Sequence, residues 1–368
     1  MKVLAVAAPL VGHLTPLLPL AAALRGAGHE VLIATGGDAA AVDTGGIPVR
    51  DLTGPVPMGR IAAPIALAHP RLIALEMTGR AGTRMVGHLF GAVAARMADG
   101  AVALARQWRP DLVLFESLAA SGALAAAVVG VPAVLQESNL VDGDELLAVT
   151  AADARLRRVL DRYGVEALRP ALTVRTGPPS VVGERPGPRM RAVPSSGAGE
   201  LPPWLAGPGS RPRVLVSHST IGPSGGDPTA SVVAVAERVD AEFVLVRGRD
   251  DRRLPPNVRA TGWVPLDRAL EHADALVHHG GAGSLVQALA CGVPQLVVPG
   301  AGDRRHNAEL VARRGVGLAR PARRISADDL TRLVGDAALR EAAEDVAAEI
   351  AALPEPASLV PTLEALTR

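Results

Sequence analysis

Two adjacent histidines stand at the head of a glycine-rich turn in VHHGGAGSLVQALACGVPQ, residues 277–295. Such residues serve three kinds of chemistry: metal ligation, proton abstraction and the cradling of phosphates. Metal ligation fits worst. Neighbouring residues on a strand point to opposite faces, so His278 and His279 cannot easily hold one ion, and no second His/Cys/Asp cluster sits at ligand spacing. Anion binding fits better. A strand is expected to end at His279; Gly280, Gly281 and Gly283 then allow close backbone approach, and Ser284 is the expected N-cap of a helix. Bare N–H groups and the helix dipole together favour an anion, the dipole by about 0.3–2 kcal/mol. The same glycines also suit a plain strand-to-helix turn, and glycine content does not separate the two.

A third histidine, His13, follows the apolar run KVLAVAAP (2–9) and lies just before Thr15 and Pro16, the expected N-cap and first helical residue. A ring after the first strand, beside the positive end of a helix, is disfavoured as imidazolium and stays available as a general base near neutral pH. His29, His69, His88, His272 and His306 have no such context and read as structural or surface residues.

Short apolar runs alternating with helical ones must position these residues. KVLAVAAP, HEVLIAT, DLVLF and PAVLQ read as buried parallel strands, with LLPLAAALRGAG and GALAAAVVG as helices between them. A Pro/Gly/Arg-rich passage over 176–213 reads as loop and linker. The alternation then resumes with RVLVSHS, EFVLVRG, ALVHHG and PQLVVPG, separated by helical runs such as TASVVAVAERV and HNAELVARRG. The pattern predicts an α/β protein of two doubly wound, Rossmann-like domains, with ligands at strand C-termini in a cleft between them.

Composition bounds the function. At 368 residues two domains are expected, and with aromatics at 2% their cores must be built from Leu, Val and Ala. A formal charge of +1 without a long basic block gives no electrostatic support for a nucleic-acid or acidic-membrane partner. Cys291, the only cysteine, excludes an internal disulfide and fits a cytoplasmic setting. The opening MKVLAVAAPLVG has the look of a short signal peptide, but it fits a first buried strand, and no membrane span is expected. Alanine-rich helices are the candidate pairing surface of a homodimer.

The stretch 262–318, GWVPLDRALEHADALVHHGGAGSLVQALACGVPQLVVPGAGDRRHNAELVARRGVGL, resembles the nucleotide-sugar signature of natural-product glycosyltransferases with the two-domain GT-B fold. GHLTPLLPLAAAL (12–24) is similar to the opening motif of that family, LPPWL before RPRVLVSHST to its interdomain passage, and LPEPASLVPTLEAL (353–366) to its closing helix. The resemblance implies an acceptor-binding domain over 1–195, a linker over 196–212, a nucleotide-sugar domain over 213–353 and a helix over 354–368 that crosses back to the first domain. It further implies an inverting, metal-independent transferase without a cofactor, whose small-molecule partners are a nucleotide-sugar and a hydrophobic aglycone. A sugar-nucleotide epimerase and a catalytically silent nucleotide-sugar-binding partner protein are the alternatives.

Carried over residue by residue, the resemblance puts His279 on the donor pyrophosphate, with Gly281, Ala282, Gly283 and Ser284 around it, while His278 faces away and packs. Trp263 and Val264 match the base-binding strand end, and Ser219 and Thr220 the end of another strand that reaches phosphate; His218 has no counterpart. Two positions depart from the pattern. Gln287 replaces the Glu that grips ribose hydroxyls; an amide does so less well, which implies a dTDP-linked deoxysugar donor rather than UDP. Asp303 and Arg304 replace the Asp-Gln pair for sugar hydroxyls; Asp303 can still accept from hydroxyls, while Arg304 reads as an unrelated surface charge sooner than as a sugar-binding residue. On the acceptor side the resemblance makes His13 the base, with Glu116 as its orienting acid or a plain loop residue. An irregular region over 52–91 is expected to supply the acceptor surface through Met58, Met77, Met85 and Phe90, whose spacings also fit a helix core.

Overall fold

The eight apolar runs become the interior strands of two separate six-stranded parallel sheets. A computed structural model of the chain describes residues 1–78, 80–193, 199–218, 226–248 and 254–368. They divide into two compact units, one of residues 1–177, 185–193 and 353–368, the other of residues 178–184 and 194–352.

In the first unit the strands are β1 (Lys2–Val6), β2 (Glu30–Thr35), β3 (Val49–Asp51), β4 (Leu112–Glu116), β5 (Ala133–Gln136) and β6 (Leu172–Val174), ordered 3-2-1-4-5-6. The helices are α1 (Val11–Leu14), α2 (Leu18–Gly26), α3 (Met58–Ala68), α4 (Pro70–Thr78), α5 (Arg84–Trp108), α6 (Ala120–Val129), α7 (Gly143–Ala151) and α8 (Ala154–Arg162). Alternation along β1 sends Leu4 and Val6 to one face, with Phe115 and the buried side of α5 and α6, and Val3 and Ala5 to the other, with Leu20 and Leu24 of α2. Each such Leu or Val contributes about 1.5–3 kcal/mol when fully buried.

The region over 52–91 is not irregular. It is largely helical, α3 to α5, with Pro64 inside α3. Two glycines of α5 are close-contact positions: a Cβ on Gly91 would lie 2.2 Å from the Asp153 Cβ, and one on Gly87 2.7 Å from the Val149 carbonyl oxygen. Helices pack this closely only where no side chain intervenes.

The second unit holds α9 (Pro179–Val182), β7 (Arg213–Ser217), α10 (Pro228–Val235), β8 (Glu242–Val246), β9 (Val258–Thr261), α11 (Leu266–Leu270), β10 (Ala275–His278), α12 (Ala282–Ala290), β11 (Gln295–Val297), α13 (Arg304–Arg314), β12 (Gly317–Ala319), α14 (Ala327–Gly335) and α15 (Ala337–Ala352). Its sheet runs β12-β11-β10-β7-β8-β9. Read from β9, that is the order of the first sheet again. The last helix, α16 (Val360–Ala365), returns to the first unit, where Leu359, Val360 and Leu363 join the α2 face of the core and Glu364 meets the His29 ring at 3.0 Å. Among the described residues no helix is long and apolar enough to cross a membrane.

Candidate active site

In an open parallel sheet of this order the first and fourth strands are neighbours whose crossovers leave in opposite directions, and their C-terminal ends bound a crevice that takes ligands. In the first unit those strands are β1 and β4, with Val6 opposite Phe115. The segment after β1 carries His13 and the last residue of β4 is Glu116, so the topology itself puts them together. His13 Nδ1 lies 3.2 Å from Glu116 Oε2.

Glu116 is fully buried. Its Oε1 accepts from the Ala8 N–H (3.1 Å), and its Oε2 also accepts from the Leu118 N–H (2.9 Å) and the Ser138 hydroxyl (3.0 Å). Burial alone would raise its pKa, but the His13 ring and the Leu118 and Ala8 N–H groups more than offset that and hold it below the usual carboxylate range. An ionised carboxylate only accepts, so His13 Nδ1 carries the hydrogen and Nε2 is left as the basic atom. The His13 ring packs on Phe90 at a centroid distance of 5.1 Å, within a small apolar cluster that includes Ala8, Leu118 and Val141. The helix begins earlier than Thr15. Leu10 is its extended N-cap residue and His13 lies within the first turn, while Pro16 is taken up by a 3₁₀ turn over Thr15–Leu17.

In the second unit the equivalent strands are β7 and β10, with Ser217 opposite His278. The strand ends one residue earlier than expected, at His278, and Gly281 rather than Ser284 is the N-cap of α12. The N–H groups of the first helical turn, Ala282 to Ser284, therefore belong to the orphan donors of this helix end. His278 is fully buried; its Nδ1 accepts from the Gly280 N–H (3.2 Å), so its Nε2 donates to Gln295 Oε1 (2.9 Å). Burial pushes its pKa to about 4, against the opposing pull of that bond. His278 thus packs, as alternation predicts, and pins the turn in which Gly280 adopts φ +83°.

The neighbouring His279 lies on the loop. Burial first, then the fields of His278, Arg304 and His218, push its pKa to about 3, so the ring is neutral; its buried Nδ1 has no hydrogen-bond partner among the described residues. Gly281 is pressed against the ring, since a Cβ there would lie 2.5 Å from His279 Nε2. Arg304 is not a detached surface charge. It is the first residue of α13, half buried against Gly280, with Asp303 as the N-cap. Asn307, buried one turn along α13, donates to the Gly280 carbonyl (2.8 Å) and to Asp303 Oδ2 (3.2 Å).

The remaining candidates are scattered. Trp263 stands 48% exposed just past β9, while Val264 beside it is buried in the core. Gln287 lies further along α12. Met58 packs on the main core of the first unit, Met85 is half buried in the first turn of α5, and Met77 on α4 is exposed; Phe90 meets the His13 ring. Ser219 and Thr220 lie outside the described residues. Sequence reasoning missed Ser138 and Asn307, because QESN and DRRHN carry no pattern that separates them from ordinary polar loop and helix residues. Among the described residues no group of three or more His, Cys, Asp or Glu is placed to hold a metal ion.

Two family models match the chain: the N-terminal domain of erythromycin biosynthesis protein CIII-like proteins over residues 22–219, and their C-terminal domain over residues 230–366. Elloramycin glycosyltransferase ElmGT of Streptomyces olivaceus is 38% identical over 380 residues, which cover 99% of this chain and 97% of that protein. The glycosyltransferase SnogD from Streptomyces nogalater has a similar structure, with a TM-score of 0.83 at 35% identity over 100% of this chain and 99% of its own. The glycosyltransferase SsfS6 of Streptomyces sp. SF2575, complexed with thymidine diphosphate, gives a TM-score of 0.84 at 29% identity over 99% of both chains.

Proposed function

The chain belongs to the erythromycin biosynthesis protein CIII-like family and is a glycosyltransferase of the GT-B fold, and we propose that it moves a deoxysugar from a dTDP-linked donor to a hydroxyl of a hydrophobic natural product, inverting the anomeric centre without a metal ion. The observation that carries this reading is the His279–Ser284 turn: it opens a nine-residue helix at the switch point of the second sheet, a place whose backbone donors suit an anion. A dTDP donor is supported by Gln287, which stands where a ribose-gripping Glu is expected, and by the thymidine diphosphate held by SsfS6. The acceptor class is supported by ElmGT, named for elloramycin.

In this mechanism His13 Nε2 takes the proton of the acceptor hydroxyl while Glu116, ionised and buried, holds the ring in the productive tautomer and stabilises the imidazolium that forms. The acceptor oxygen attacks the anomeric carbon from the face opposite the diphosphate. The bond from that carbon to the diphosphate oxygen breaks, its electrons leave with dTDP, and the N–H groups of the glycine turn with the neutral His279 ring receive the developing charge.

Incubation of the purified chain with dTDP-deoxysugars and hydroxylated aglycones in excess EDTA tests this. The expected result is product whose anomeric configuration, read from its proton coupling, is opposite to that of the donor. Retained configuration, or turnover restored only by a divalent metal, would overturn the mechanism.

A further inference from the structure

Arg304 is anchored beside the glycine turn by its own backbone. A Cβ on Gly280 would lie 3.1 Å from both the Arg304 Cβ and the Arg304 carbonyl oxygen, and the Asn307 amide ties the Gly280 carbonyl to the same helix end. The side chain is half buried, and its charge is felt by the His279 ring.

Chemistry separates the tasks such a group can perform. The amide of the Asp-Gln pattern both donates and accepts, as sugar hydroxyls require. A guanidinium only donates, keeps its charge and presents a planar fork that matches phosphate oxygens. The charge balance of the turn points the same way. His279 is neutral, so it offers a hydrogen bond without a charge. A helix N-terminus supplies roughly half an elementary charge. A departing nucleoside diphosphate carries more than that can match.

We propose that Arg304 is a phosphate-binding residue that grips the β-phosphate of the nucleoside diphosphate, making the site selective for diphosphates over monophosphates. It supplies the cation that the leaving group needs as the anomeric carbon–oxygen bond breaks and the electron pair passes to the β-phosphate oxygen. This rests on the glycine turn being the donor diphosphate site.

Isothermal titration of the full chain and its R304Q, R304A and R304K variants with dTDP, dTMP, UDP and UMP tests it. In the parent, the diphosphate binds more tightly than the monophosphate of the same base. In R304Q and R304A the diphosphate weakens by about 10–100-fold, the monophosphate changes by less than about 3-fold, and R304K keeps part of the preference. Monophosphate binding doubles as the control that each variant is folded at the turn. A diphosphate preference unchanged in R304Q overturns the assignment; if the KM for the sugar donor nevertheless rises in that variant, Arg304 acts on the sugar instead. A parent that binds none of the four nucleotides removes the diphosphate site itself and the proposal with it.

Discussion

An H13A variant is expected to bind the donor nucleotide as tightly as the parent and to lose about 10²–10⁴ in kcat. The split follows from where the residue sits. His13 belongs to the first unit, bonded to a carboxylate that is fully buried and held by two backbone N–H groups and the Ser138 hydroxyl, while the turn proposed to bind the diphosphate belongs to the second. Removing the ring takes away a proton acceptor and leaves the turn untouched. Turnover measured alongside calorimetric nucleotide binding checks both halves. Activity within a few-fold of the parent would remove the base assignment, whatever happened to binding.

No such split is expected for H279A, in which the imidazole proposed to face the diphosphate is gone. Here kcat should fall by about 10²–10³, the loss typical of one preorganised donor to a developing negative charge, and dTDP affinity should fall with it. The variant also has a pH signature. His278 and His279 have folded pKa values of about 4 and about 3, both below the ordinary 6.5. Below pH 6.5 the unfolded chain takes up protons that the folded chain refuses, so the empty protein loses stability as pH falls towards those values. Melting curves across that range should fall less steeply for H279A, because one of the two refusing rings is absent. Equal slopes would mean that His279 is not held neutral.

The interior strands could be read from the sequence because a strand covered on both faces is a continuous apolar run, as in KVLAV and EFVLV. The four strands it missed are the four sheet edges, β3, β6, β9 and β12. VRD, LTV, VRAT and GLA are three or four residues long, and they are strands because a neighbour offers them a ladder. The helices from 58 onward are one of two readings the sequence allows, since the spacings of Met58, Met77, Met85 and Phe90 fit a helix core as well as an irregular surface. Gly87 and Gly91 punctuate a sequence as loop residues do, yet here they let α5 approach α7 and α8.

The candidate site divides in the same way. His13, Glu116 and His279 stand at or just past the ends of strands that could be recognised, so their positions follow once the strand order is known. Ser138 and Asn307, and the burial of Arg304, depend on how one loop or helix end packs on another, which no local pattern records. The expected helix starts at Thr15 and Ser284 were displaced because Leu10 and Gly281 are extended and the chain turns helical directly after them, before a side-chain cap is reached.

The central claim is that the second unit holds a nucleoside diphosphate on the turn at His279, and thermal unfolding with dTDP and UDP in parallel, in EDTA, tests it most directly. Ligand at 100 times its Kd should stabilise the folded protein by roughly 2.7 kcal/mol, a visible rise in Tm. The expected result is a rise with dTDP that exceeds the rise with UDP, kept in H13A and lost or much reduced in H279A. No rise with either nucleotide would contradict the claim and leave the turn a strand-to-helix connection.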